Sequence, residues 1–92
     1  MEKAIHSAKQ AILRDLLRKA RKRARLTQTQ LGALIDEPQS LISDIERGER
    51  RADLVELLQI TRALNVPLVD LVKQFVERVE AETESGQETA AE

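Results

Sequence analysis

Apolar residues recur along this chain at spacings of three and four, with none of the strict alternation of a strand. Ile12, Leu13, Leu16, Leu17, Ala20 and Ala24 mark a first amphipathic helix over about residues 8–24. Thr27 has the chemistry of an N-cap for a second helix, and Gln30 three residues on completes a capping box. Leu31, Leu34 and Ile35 form the buried face of that helix. Asp36-Glu37 makes a short turn. Pro38 then opens a third helix, where no intrahelical N–H is required, with Ile42 and Ile45 facing inward. Gly48 stands where a left-handed C-terminal cap needs glycine. Asp53 starts a fourth helix with Leu54, Leu57, Leu58, Thr61 and Leu64 along one side. Asn65-Val66-Pro67 breaks it, and Leu68 to about Val79 forms a fifth. The expected fold is therefore all-α, one five-helix domain over residues 1–79. From Glu80 the chain turns polar and acidic, so residues 80–92 are expected to form a disordered tail.

Composition narrows the chemistry. At 92 residues, 41% apolar and 34% charged, the chain suits a single small helical globule. It has no cysteine and only one histidine, His6, expected exposed near the helix start; no disulfide, metal-ligand cluster or histidine-activated nucleophile can be assembled from them. No glycine-rich phosphate loop is present either, so an enzyme, a metal and a cofactor are not expected. Phe75 is the one aromatic residue, which removes the stacking platforms of most single-strand and RNA-binding modules. No run approaches the roughly 18 apolar residues of a membrane span. The N-terminal MEKAIHSAKQ has no apolar core of signal-peptide type, and a soluble cytoplasmic protein is expected.

The net charge of −1 conceals a split. Residues 1–51 carry twelve basic and seven acidic side chains, a balance of +5, whereas residues 52–92 carry three and nine, a balance of −6. The richest basic run extends from Lys9 to Arg25, with Asp15 its lone acid. Such a run can steer the chain toward a polyanion; the plainer reading is a solvated helix face, because its members point in several directions.

The second and third helices are joined by a tight turn, and Leu31, Leu34, Ile35, Ile42 and Ile45 lock them across each other in a helix-turn-helix arrangement. The stretch LTQTQLGALIDEPQSLISDIERGERR, Leu26 to Arg51, closely resembles the lambda-repressor-like, Cro/Xre-type family of DNA-binding domains. The resemblance covers about residues 12–75. Its most specific parts are Leu26-Thr27-Gln28, Pro38-Gln39-Ser40 and Ile42 to Gly48.

That resemblance implies a division of labour. Thr27 and Gln28, at the start of the second helix, would hold a backbone phosphate. Gln39, Ser40, Ser43 and Asp44 would enter the major groove from the third helix, Gln39 bonding adenine N6 and N7. Asp44 would accept from cytosine N4 or repel phosphate, unless it is simply a surface acid near the DNA. Arg47, Arg50 and Arg51 would clamp phosphates. Glu46 and Arg21 match a salt-bridged pair joining the third and first helices, a role in the fold rather than in readout. Three residues depart from the family pattern. Arg25 and Asp36 stand where relatives often have glycine, with Asp36 at a position expected to need positive φ. Gly32 replaces a small alanine, weakening the second helix by about 1 kcal/mol.

The fifth helix raises the question of partners. Leu68, Val72, Phe75 and Val79 step by four, three and four, and Leu71 and Val76 widen the stripe. The whole stripe could close the domain's own core, but its distal part exceeds what closure needs and is expected to pack against a second copy. A two-fold dimer would set two recognition helices about one DNA turn apart on a palindromic site. The leading expectation is thus a homodimeric, sequence-specific transcriptional regulator of double-stranded DNA, most simply a repressor. The alternative is an antitoxin-like protein whose acidic C-terminal region binds a protein partner.

Overall fold

The computed structural model describes residues 7–86, with side chains described through residue 82. His6 therefore lies outside the described residues, as does the chain from residue 87 on. Five helices follow in order: α1 Ala8–Arg23, α2 Gln28–Leu34, α3 Gln39–Arg47, α4 Leu54–Ala63 and α5 Leu68–Gly86. Among the described residues there is no strand.

Helix starts follow local side-chain chemistry. Ser7 caps α1 by accepting from the Gln10 N–H at 3.1 Å. Thr27 and Gln30 form the expected capping box, and Asp53 and Glu56 form a second one on α4. The ends of α1 to α4 share one design. In each, a residue in the left-handed region turns the chain, at Arg25 (φ 63°), Asp36 (59°), Gly48 (80°) and Asn65 (61°). In each, the next N–H reaches back five residues, from Leu26 to Arg21, Glu37 to Gly32, Glu49 to Asp44 and Val66 to Thr61, at 2.8–3.2 Å. Gly48 and Asp36 behave as their residue types predict, but Arg25 takes this conformation without the latitude of Gly, Asn or Asp.

The core joins Ile12, Leu16, Leu17 and Ala20 of α1 to Leu31, Ile42, Ile45, Ile60, Leu64 and Leu71. Thr61, 1% exposed, belongs to it because its hydroxyl donates to the Leu57 and Leu58 carbonyls of its own helix. Two expected core residues lie outside. Leu34 is 60% exposed, because the buried face of α2 is centred on Leu31, Gly32 and Ile35, and Leu34 falls beyond its edge. Leu54 is 68% exposed because it sits in the first turn of α4, past the end of the packed region. Gly32 has a stronger reason to be glycine than helix propensity suggests: a Cβ there would stand 2.6 Å from the Glu37 backbone oxygen. The turn between α2 and α3 closes directly over it.

α5 runs further than its apolar stripe. It continues through Glu80 to Gly86, so the first seven residues assigned to a disordered tail are helical. It packs along α1, where Asp15 accepts from Arg78 at 2.7 Å and pairs with Lys19 at 3.0 Å. The hydrogen bond from Arg78, then that from Lys19, holds the Asp15 carboxyl below its ordinary range. Leu68, Phe75 and Val79 spend much of their surface on the domain's own core, while Val69, Val72 and Val76 stay exposed.

Candidate nucleic-acid interface

The short turn brings the first residues of α2 and α3 side by side. Gln39 Nε2 donates to Gln28 Oε1 at 2.7 Å, and Gln28 Nε2 donates to Glu46 Oε1 at 3.0 Å. Arg21 completes the chain: its Nε and Nη2 donate to the two Glu46 oxygens at 2.6 and 3.0 Å, and its Nη1 to the Leu26 carbonyl at 2.8 Å. One carboxylate on α3 thus ties α1, the entry to α2 and the start of α3 together. The Arg21 and Glu46 side chains are only 10% and 7% exposed, so each depends on the other for its charge. Burial pushes the Glu46 carboxyl up, but hydrogen bonds from Arg21 and Gln28 and the charges of Arg21 and Arg18 outweigh it; the net direction is down.

Gln39 gives one amide hydrogen to Gln28 and keeps its second hydrogen and its carbonyl oxygen. Ser40 beside it is exposed. Thr27 is exposed too, its hydroxyl oxygen accepting from the Gln30 N–H at 3.0 Å. These residues form an open polar end, with the free N–H groups of two helix starts nearby.

The other end of α3 is closed. Ser43, expected in the groove, is buried, and its Oγ accepts from Arg47 Nη1 at 2.9 Å. Arg47 Nη2 also donates to Asp44 at 2.8 Å and Glu49 at 3.1 Å. Arg50 forks onto Glu56 at 2.6 and 2.8 Å and donates to the Arg51 carbonyl at 3.2 Å. The Arg50 hydrogen bond, against burial and with help from the Asp53 N–H, holds the Glu56 carboxyl below its ordinary value. Of the three arginines expected to clamp phosphates, Arg51 alone leaves its side chain exposed and unpaired among the described residues. Glu49 and Glu56 are the acids that sequence reasoning missed. Glu56 carried a signal, since Asp53 and Glu56 have capping-box spacing; nothing local pointed Arg50 at it.

A family model described as helix-turn-helix matches residues 17–71, more than half of the chain. Among solved structures, an XRE-family-like protein from Pseudomonas syringae is 35% identical, with 82% of this chain and 92% of that chain covered and a TM-score of 0.75. The chain belongs to the Xre-type helix-turn-helix family. Two more distant structures share the fold of this Xre-type protein. The wild-type restriction-modification controller protein C.Esp1396I is 23% identical over 80% of this chain and 97% of its own, with a TM-score of 0.74. The clp gene regulator ClgR from Corynebacterium glutamicum is 20% identical over 86% of each chain, with a TM-score of 0.72. No curated protein matches. Family membership makes this Xre-type chain a DNA-binding transcriptional regulator, and α2–α3 is its helix-turn-helix. No helix among its described residues is long and apolar enough to cross a membrane.

Proposed function

We propose that the protein binds a palindromic operator as a homodimer and represses by occluding a promoter. The observation that carries this reading is the Arg21–Glu46–Gln28–Gln39 chain, which holds Gln39 at the open end of α3 with one donor and one acceptor unspent. That is the pair a glutamine needs for adenine N7 and N6. Thr27, Gln28 and Ser40 flank it near two helix N-termini, which suits phosphate oxygens, and Arg51 adds a free cation. Ser43, Asp44, Arg47 and Arg50 support the surface rather than read it.

Dimerisation rests on the apolar side chains left uncovered. Val69, Val72 and Val76 are 75%, 46% and 42% exposed on α5, and Leu54 and Val55 are exposed on the first turn of α4. Beside them lies a groove of about 250 Å³ lined only by Leu13, Leu57, Leu71, Val72 and Phe75. A second copy is the occupant that would also double the DNA contacts.

The deciding experiment measures fluorescence anisotropy of a labelled duplex from the gene's upstream region against a scrambled duplex, at two salt concentrations, beside sedimentation of the free protein. Tight, sequence-dependent, salt-weakened binding by a dimer is the expected result. Equal, weak binding to both duplexes would sink it and favour a protein partner on the α5 face.

A further inference from the structure

With Arg47 and Arg50 neutralised by acids of their own segment, Arg51 is the one free cation just past α3 among the described residues, and further cations for the DNA backbone have to come from elsewhere. The geometry points to α1: Arg14 and Arg18 form a phosphate-binding ridge that runs beside the recognition helix α3. The inference rests on the reading of α3 as the DNA-contacting helix. It assigns further backbone contacts to residues outside the helix-turn-helix.

Arg14, Arg18 and Arg21 are spaced by four and three, so they share one face of α1. Arg21 fixes where that face points, since its guanidinium is bonded to Glu46 on α3. Arg18, one turn earlier, is exposed, and its charge is felt by the Glu46 carboxyl. Arg14, a further turn back, reaches the far end of α3. A Cβ at Gly48 would lie 2.9 Å from its Cζ and Nη1 and 3.0 Å from its Nε, so the guanidinium lies flat against that glycine. The ridge therefore lies along the last turn of α3 and its cap, from Glu46 to Gly48.

Neither side chain makes a salt bridge or a side-chain hydrogen bond among the described residues. This separates them from Lys19, Arg47, Arg50 and Arg78, all of which are paired. An unpaired guanidinium beside a helix lying in a DNA groove meets phosphate before it meets anything else. Gly48 gains a second reason for its identity. It turns the chain, and its missing side chain leaves room for Arg14 to lie along α3.

The test uses the full chain and the upstream duplex, with affinity measured between about 50 and 200 mM salt. Arg14→Ala and Arg18→Ala are each expected to flatten the log–log salt dependence by about 0.9 per bound protomer. Over that fourfold salt range, this is an affinity loss about three- to fourfold smaller per protomer than for the parent. Both should weaken the operator and the scrambled duplex by the same factor. Arg14→Lys should keep the parent slope, because it keeps the charge while losing the flat contact. Lys9→Ala, exposed on the other side of α1 from Arg14 and Arg18, should match the parent. If the parent binds its operator specifically and both alanine variants keep its slope, the ridge is wrong while the regulator reading stands. If the parent shows no operator preference, that reading falls first and the ridge with it. Should Arg14→Ala lower thermal stability, Arg18→Ala and Arg14→Lys still decide, since Arg18 is exposed and unpaired.

Discussion

The two ends of α3 are both polar, the first neutral and the last mostly charged, and they are put to opposite uses. At the first turn, Gln39 and Ser40 keep hydrogen-bonding capacity facing outward, and the one internal bond made by Gln39 serves to aim it. At the last turn, Ser43, Asp44, Arg47 and Glu49 close on one another, and Arg50 closes on Glu56 just beyond. The difference is one of satisfaction as well as of charge. A polar side chain is available to a ligand only where its neighbours leave part of it unbonded.

The harshest way to break this contrast is Arg21→Ala. It strands the Glu46 carboxylate, 7% exposed, without its cation and is expected to cost about 3–5 kcal/mol in a thermal or denaturant melt. Acid should reproduce part of this loss. The folded Glu46 carboxyl lies below its ordinary 4.5, so the unfolded chain binds the extra proton first. Stability from this group is complete above that ordinary value and drains away as pH falls through the folded one. Glu46→Gln should shrink that slope, and an unchanged acid melt would show that other carboxylates dominate.

Gln39→Ala comes next. It leaves the fold standing and should cost about 1–3 kcal/mol of discrimination between operator and scrambled duplex, read by anisotropy competition. Arg25→Gly has a smaller effect of opposite sign. Relieving an arginine held at φ 63° should stabilise the protein by about 0.5–1 kcal/mol, seen as a higher melting temperature. Smallest of all, Asp44→Asn loosens the closed end. Freed from one acid, Arg47 should strengthen binding to any duplex about two- to fivefold, the scale of an exposed ion pair; a change confined to the operator would instead make Asp44 a reader.

The parts of this molecule legible in its sequence are those whose chemistry is local. Thr27 with Gln30, Asp53 and Gly48 each announce a helix end within a few residues. The Arg21–Glu46 pair spans 25 positions and was read only because the family pattern supplied it. Arg25 gives no local sign of its left-handed turn, which only the glycine of relatives at that place hints at. The closed cluster was within reach, since Ser43, Asp44 and Arg47 have the spacing of neighbours on a helix; groove chemistry was read in its place. At the C-terminal end composition does not mark where α5 stops, because Glu80, Ala81 and Glu82 are polar and yet good helix formers that continue an existing helix.

The bond between Gln28 and Gln39 also bears on how the protein searches. A free glutamine side chain gives up about 1.5–2 kcal/mol of rotamer entropy when it is immobilised. Here much of that ordering occurs on folding, so each trial site on a long duplex meets a side chain already set in place. On the proposed reading of Gln39, a mismatched base would gain nothing from the side chain rearranging around it, and short residence at wrong sequences would follow from the same bond.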